Sequence, residues 1–217
     1  MTAKEMKATL PAQDIFGSKT ASLSMKWTDK WLAEWNRMHL DYAQYMNGAD
    51  ALYWYGERAN LTSLASAAWR AGFHAIEEFS AMKKRLPASK KHSGCVDLYV
   101  AHGTMGSIIE AKTCSLTPHT TGAQISLAMD EALEDAGKSH FGEQGIGAVF
   151  YVVRARQDDI TDAMLLECIE RIRTTKPSAV AWCFPALTRH LRSDRPGQKK
   201  LAWPGVVLSL KVAPRTK

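Results

Sequence analysis

Two neighbouring apolar runs carry charge where a strand is otherwise greasy, and that restricts what the chain can fold into. Val96-Asp97-Leu98-Tyr99-Val100 and Ile108-Ile109-Glu110-Ala111-Lys112 are joined by Ala-His-Gly-Thr-Met-Gly-Ser at 101–107, a link suited to a hairpin. Side chains alternate across a strand, so Asp97 lies on the face opposite Val96, Leu98 and Val100, and Glu110 and Lys112 lie opposite Ile109 and Ala111. Pairing the two strands brings Asp97 beside Glu110 and Lys112. Two carboxylates in partly apolar surroundings repel each other unless a cation sits between them. Mg²⁺ resolves that conflict, taking oxygens from one or two carboxylates and the rest from water and phosphate. A neighbouring lysine can position or deprotonate a water and steady charge on a phosphorus under attack. The competing reading of Glu110 and Lys112 is a cross-strand salt bridge on a solvated sheet face.

The flanking elements set the context. Trp27, Trp31, Trp35, Met38 and Tyr42 recur at spacings of three and four, the repeat of one helix face. That face is read as an accessory helix packing on the main domain, with a dimer contact or a platform for bases as the alternatives. Residues before about 25 are expected to form a flexible or loosely docked arm. A helix from Glu57 to Ala71, ended by Gly72, carries Glu57, Leu61, Leu64 and Ala68 on one stripe, so a carboxylate points where core residues point. A glutamate at a helix start is also favoured by the helix dipole alone. Phe73 to Phe79 is expected as a strand, which makes Glu77 and Glu78 alternative site carboxylates, and Lys-Lys-Arg-Leu-Pro-Ala-Ser-Lys-Lys-His-Ser-Gly after it reads as a basic turn. Downstream, helices are expected around Thr120–Lys138 and Asp159–Thr175, strands at Ile146–Ala155 and Ala179–Leu187, and an edge strand over Leu201–Val212 preceded by a turn at Pro204-Gly205.

Gly94-Cys95-Val96-Asp97 followed by Glu110-Ala111-Lys112 resembles the PD-(D/E)xK motif of the restriction-endonuclease-like nucleases, with Asp97 as the D and Glu110-x-Lys112 as the ExK. The helix before it resembles the opening helix of Holliday-junction-resolvase-like members, whose glutamate joins the metal site; Glu57 takes that place here. The resemblance covers roughly residues 55–187. It implies an α/β, restriction-endonuclease-like three-layer core with a central mixed β-sheet flanked by helices, over residues 51–217, with an N-terminal helical appendage over 1–50. It also implies phosphodiester hydrolysis by a water activated on Mg²⁺, with Mn²⁺ as substitute, bound by Asp97, Glu110, Glu57 and the carbonyl of Ala111. Gln124 resembles the glutamine of the RecB-like branch. Two positions depart from the pattern: valine precedes Asp97 where the family often has proline, and Ala128 stands where that branch has tyrosine.

A net charge of +6 and a pI near 9.1 suit an anionic partner, with DNA favoured over RNA. Phosphate contacts are expected from Lys83, Lys84, Arg85, Lys90 and Lys91, and from Arg189, Arg192, Arg195, Lys199 and Lys200. His119 and Thr113 are candidates to line the cleft. His92, Cys95, Cys114 and His119 have spacings that could hold zinc, while reduced core thiols are the plainer reading of the cysteines. No apolar leader and no membrane-spanning run is evident, so a cytoplasmic protein is expected. Two other classes remain: a catalytically inactive nuclease-fold protein that binds nucleic acid or a protein in a phage, plasmid or defence system, and an unrelated interaction protein working through Trp27, Trp31 and Trp35.

Overall fold

The computed structural model describes residues 13–84, 91–138, 144–192 and 201–214. Seven strands run β1 (Ile15–Thr20), β2 (His74–Lys84), β3 (Lys91–His102), β4 (Met105–Leu116), β5 (Gln144–Arg156), β6 (Ala179–Phe184) and β7 (Leu201–Val212). Among the described residues four α-helices accompany them: α1 (Thr28–Tyr45), α2 (Glu57–Arg70), α3 (Gly122–Gly137) and α4 (Asp162–Arg173). The strands form one mixed sheet in the order β1-β6-β7-β5-β4-β3-β2, in which only β4 and β5 run parallel. The parallel pair needs a crossover, and α3 supplies it.

Alternation along the central strands separates two cores. Ala148, Phe150 and Leu208 pack with Trp31, Trp35, Leu61 and Leu64 of α1 and α2. Their neighbours Val149, Tyr151 and Val207 pack with Ile125 and Met129 of α3 and Leu165 and Ile169 of α4. The result is three layers, helices over both faces of one sheet. No helix among the described residues is long and apolar enough to cross a membrane.

Three expectations are corrected. Residues 15–20 are a strand rather than a loose arm: β1 pairs along its length with β6, while residues 1–12 lie outside the described residues. The tryptophan-bearing helix packs on the main domain as expected, sharing the α2 core. Trp31 and Trp35 are fully buried, their indole N–H groups donating to the Leu64 carbonyl and the Ser63 hydroxyl, so that face cannot meet a dimer partner or nucleic-acid bases. The tryptophan periodicity was a core signal because large amphipathic rings can bury completely once their one N–H finds an acceptor.

β7 is a central strand flanked by β5 and β6, not an edge. Its run from Ala202 to Leu210 is buried on both faces, the pattern of a covered strand. Pro204 is tolerated because the β5–β7 register shifts between Val153 and Ala155. Gly205 lets the backbones close there, since a Cβ would lie 2.3 Å from the Cys183 carbonyl oxygen. The basic stretch expected as a turn is strand at its described ends: β2 reaches Lys84 and β3 begins at Lys91, while residues 85–90, with Arg85 and Lys90, lie outside the described residues.

Candidate active site

The β3–β4 hairpin closes tightly. His102 pairs with Met105 across Gly103 and Thr104, with Gly103 in the left-handed region at φ 56°. The ladder runs back from there as far as Leu98 opposite Ile109. The next step places Asp97 opposite Glu110, and at that step the ladder stops. Asp97 Oδ2 instead accepts the Ala111 N–H at 2.7 Å. A side-chain carboxylate thus stands in for the strand's carbonyl where β3 and β4 fork.

Beyond the fork, β4 stays paired with β5 through Leu116. Its other edge carries the N–H and C=O groups of alternate residues, Ala111 and Thr113. Asp97 takes the first N–H, and the second, that of Thr113, lies near enough to Glu57 to lower its carboxyl. Glu57 reaches that edge because it is the first residue of α2, following Gly56 at φ 89°. Burial raises the Glu57 carboxyl above the usual carboxylate range; Lys112 and the Thr113 N–H pull it down in part, and Asp97 pushes it up further. Glu57, Asp97 and Lys112 therefore share one electrostatic neighbourhood.

Glu110 is buried, 3% exposed, and its register partner on β5 is Gly147. A Cβ at Gly147 would lie 3.0 Å from the Leu133 backbone nitrogen, so α3 rests directly on this part of the sheet. Lys112, two residues on along the same face, puts Nζ 2.9 Å from Asp135 Oδ2 of α3. Burial pulls the Lys112 ammonium down, but the Asp135 hydrogen bond and the charges of Asp135, Glu57 and Asp97 outweigh it and hold Lys112 above the usual lysine range. Asp135 is raised by burial and lowered more strongly by Lys112 and Lys138, for a net depression. Asp135 was not anticipated from sequence. It flanks the apolar stripe of α3, but only the crossover geometry aims it at β4.

The residues expected to hold a metal, Asp97, Glu110, Glu57 and the Ala111 carbonyl, would offer oxygen alone. Such a set fits a hard cation rather than zinc. Among the described residues no group of three or more His, Cys, Asp or Glu side chains is arranged to hold a metal ion. A cation at the fork would thus lean on two carboxylates, the carbonyl and oxygens from substrate or water.

The remaining candidates fall elsewhere. Glu77 accepts from the Thr62 hydroxyl at 2.9 Å, and Glu78, at φ 48° on the edge strand, is 2.7 Å from Arg58. Gln124 is the third residue of a capping box on α3: its Oε1 accepts the Thr121 N–H while its own N–H meets the Thr121 hydroxyl. Arg189 is 4% exposed and spent on Asp162 and the Gln13 carbonyl, which removes it from the phosphate contacts. Arg192 is exposed and bridges to Ala202. Arg195, Lys199 and Lys200 lie outside the described residues. His119 and Cys95 are exposed, whereas Cys114 packs with the α3 core and burial pushes its thiol up.

The chain matches no family model, no curated protein and no solved structure.

Proposed function

We propose that this chain is a metal-dependent nuclease that hydrolyses phosphodiester bonds in DNA. The observation that carries the reading is the fork itself: Asp97 stands opposite Glu110-Ala111-Lys112 at the step where pairing ends, and Glu57 joins it from the start of α2. The resemblance to the restriction-endonuclease-like nucleases rests on these same residues. Mg²⁺ or Mn²⁺, when held by Asp97, Glu110 and the Ala111 carbonyl, supplies a Lewis acid for phosphate oxygens and an acidified water.

The chain's own groups divide the remaining work. Lys112, raised above the usual lysine range, keeps its proton at neutral pH. It therefore orients the water and faces the charge developing on phosphorus, and does not serve as the base. Asp135 fixes its ammonium in place. Glu57, the carboxyl raised by burial, is the member of the cluster best suited to take a proton.

A second reading has its own observations. Lys112 is committed to Asp135, and the described residues lack a three-donor metal group. Both suit an inactive nuclease-fold protein that binds without cutting.

Linear duplex, single-stranded and branched DNA and RNA, incubated with Mg²⁺, Mn²⁺ or EDTA, decide between them. Metal-dependent cutting that disappears in Asp97→Ala and Lys112→Ala supports the nuclease. Binding without cutting, unchanged by either substitution, supports the binding module.

A further inference from the structure

Beyond the fork, β3 keeps only one partner. β2 and β3 stay paired from Phe79 opposite Val96 to Lys84 opposite Lys91, whereas the β3–β4 ladder ends at Leu98. The outer half of this hairpin is thus a two-stranded ribbon that leaves the sheet at Asp97. Its root is held by Phe79 against Tyr99, rings 6.2 Å apart and edge-on, and by Val96 packed with Ile108. From Asp97 to Lys91 the strand reaches about 20 Å at the usual rise per residue.

The charge on this ribbon is of one sign. Between Phe79 and Val96 the sequence contains no Asp or Glu. Its outermost described pairs are Lys83 opposite His92 and Lys84 opposite Lys91. A two-stranded ribbon is also one of the few elements that the major groove of duplex DNA admits.

We infer that the β2–β3 ribbon is a binding arm for double-stranded DNA, placing Lys83, Lys84 and Lys91 on the phosphates flanking a groove while its root holds Asp97 at the bond to be cut. This rests on the nuclease reading above, and it adds the substrate class and the element that recognises it. The arm and the site are one continuous strand, so seating the ribbon sets the position of the duplex relative to Asp97.

The test uses the full chain and a labelled linear duplex, with EDTA present so that binding is read without cutting, across a salt series. The Lys83→Ala/Lys84→Ala/Lys91→Ala variant should bind at least tenfold more weakly, with the slope of log affinity against log salt reduced by about 2–3, as three lost phosphate contacts require. The matching triple arginine variant should bind as wild type, and Lys19→Ala/Lys26→Ala/Lys30→Ala, exposed lysines elsewhere, should lose little. Undiminished binding by the ribbon variant, or an equal loss in the remote one, overturns the arm and leaves those lysines as guards of an open strand edge. An equal loss on single-stranded DNA and RNA overturns the duplex assignment. If wild type cuts duplex with Mg²⁺ and the ribbon variant cuts it equally well, the arm fails while the nuclease reading stands; if wild type cuts only single-stranded DNA, the arm fails alone, and if it binds and cuts no DNA, both fail.

Discussion

Lys112 of β4 and Asp135 of α3 meet at 2.9 Å, joining the strand that carries the candidate site to the crossover helix that follows it. Both side chains are about one-third exposed, so the pair contributes little to stability, on the order of 1 kcal/mol or less. Its consequence is electrostatic. Asp135→Asn should leave the melting temperature within a few degrees of wild type and move the basic limb of the pH–rate profile to lower pH, because the group that raises Lys112 is gone. A pH series of cleavage rates on both proteins measures this. An unmoved basic limb would separate Lys112 from the reaction.

Gln124 distinguishes a cap from a site. Gln124→Ala removes the third residue of the α3 capping box and should cost about 1 kcal/mol in denaturant unfolding, with the cleavage rate unchanged. A loss of rate at intact stability would restore Gln124 to the site.

His39 makes the fold acid-sensitive. It is buried against Trp35 and Tyr53, neither ring nitrogen has a hydrogen-bond partner, and burial lowers it to about 3. The unfolded chain takes up a proton near pH 6.5 that the folded chain refuses, so stability is full above that value and declines as pH falls toward 3. Unfolding free energy should drop by about 1 kcal/mol between pH 7 and 5.5, from this group alone. His39→Gln should flatten that part of the profile in urea unfolding.

Trp31 is a core anchor. Trp31→Ala should cost about 3–5 kcal/mol, through lost burial and the lost indole hydrogen bond to the Leu64 carbonyl, and leave the oligomeric state unchanged. Urea unfolding and sedimentation measure the two outcomes separately.

Gly205 admits no side chain. Gly205→Ala sets a methyl 2.3 Å from the Cys183 carbonyl oxygen, a backbone atom that cannot rotate away. A loss of about 1–3 kcal/mol is expected in denaturant unfolding.

Local chemistry carried most of the legible information. The hairpin of β3 and β4, paired from Leu98 opposite Ile109 to its turn, the start of α2 at Glu57 and the alternation of helices and strands after it follow from periodicity and turn residues, and all are present. Gln124 was also readable, since Thr121-x-x-Gln124 is a capping sequence in its own right. What could not be read was pairing between distant segments. β1 and β7 find their neighbours far along the chain, and nothing local in Leu201–Val212 says that β5 and β6 will enclose it. Arg189 failed for the same reason: its neighbours in sequence are basic, but its partner Asp162 comes from the start of α4. Asp135 is the counterpart, an acidic residue among several on α3 that only the crossover aims at Lys112.

The central place of β7 has a consequence for how the molecule is made. β6 and β1 attach to the rest of the sheet only through β7, which is synthesised after every strand it joins. A nascent chain that has emerged through β6 therefore holds two separate sheet fragments, each with an unfilled edge, and the hairpin bearing Asp97 is complete well before the fragments can meet. Closure is a late, long-range event, and until it happens those open edges are where a ribosome-bound chain is most exposed to wrong pairing.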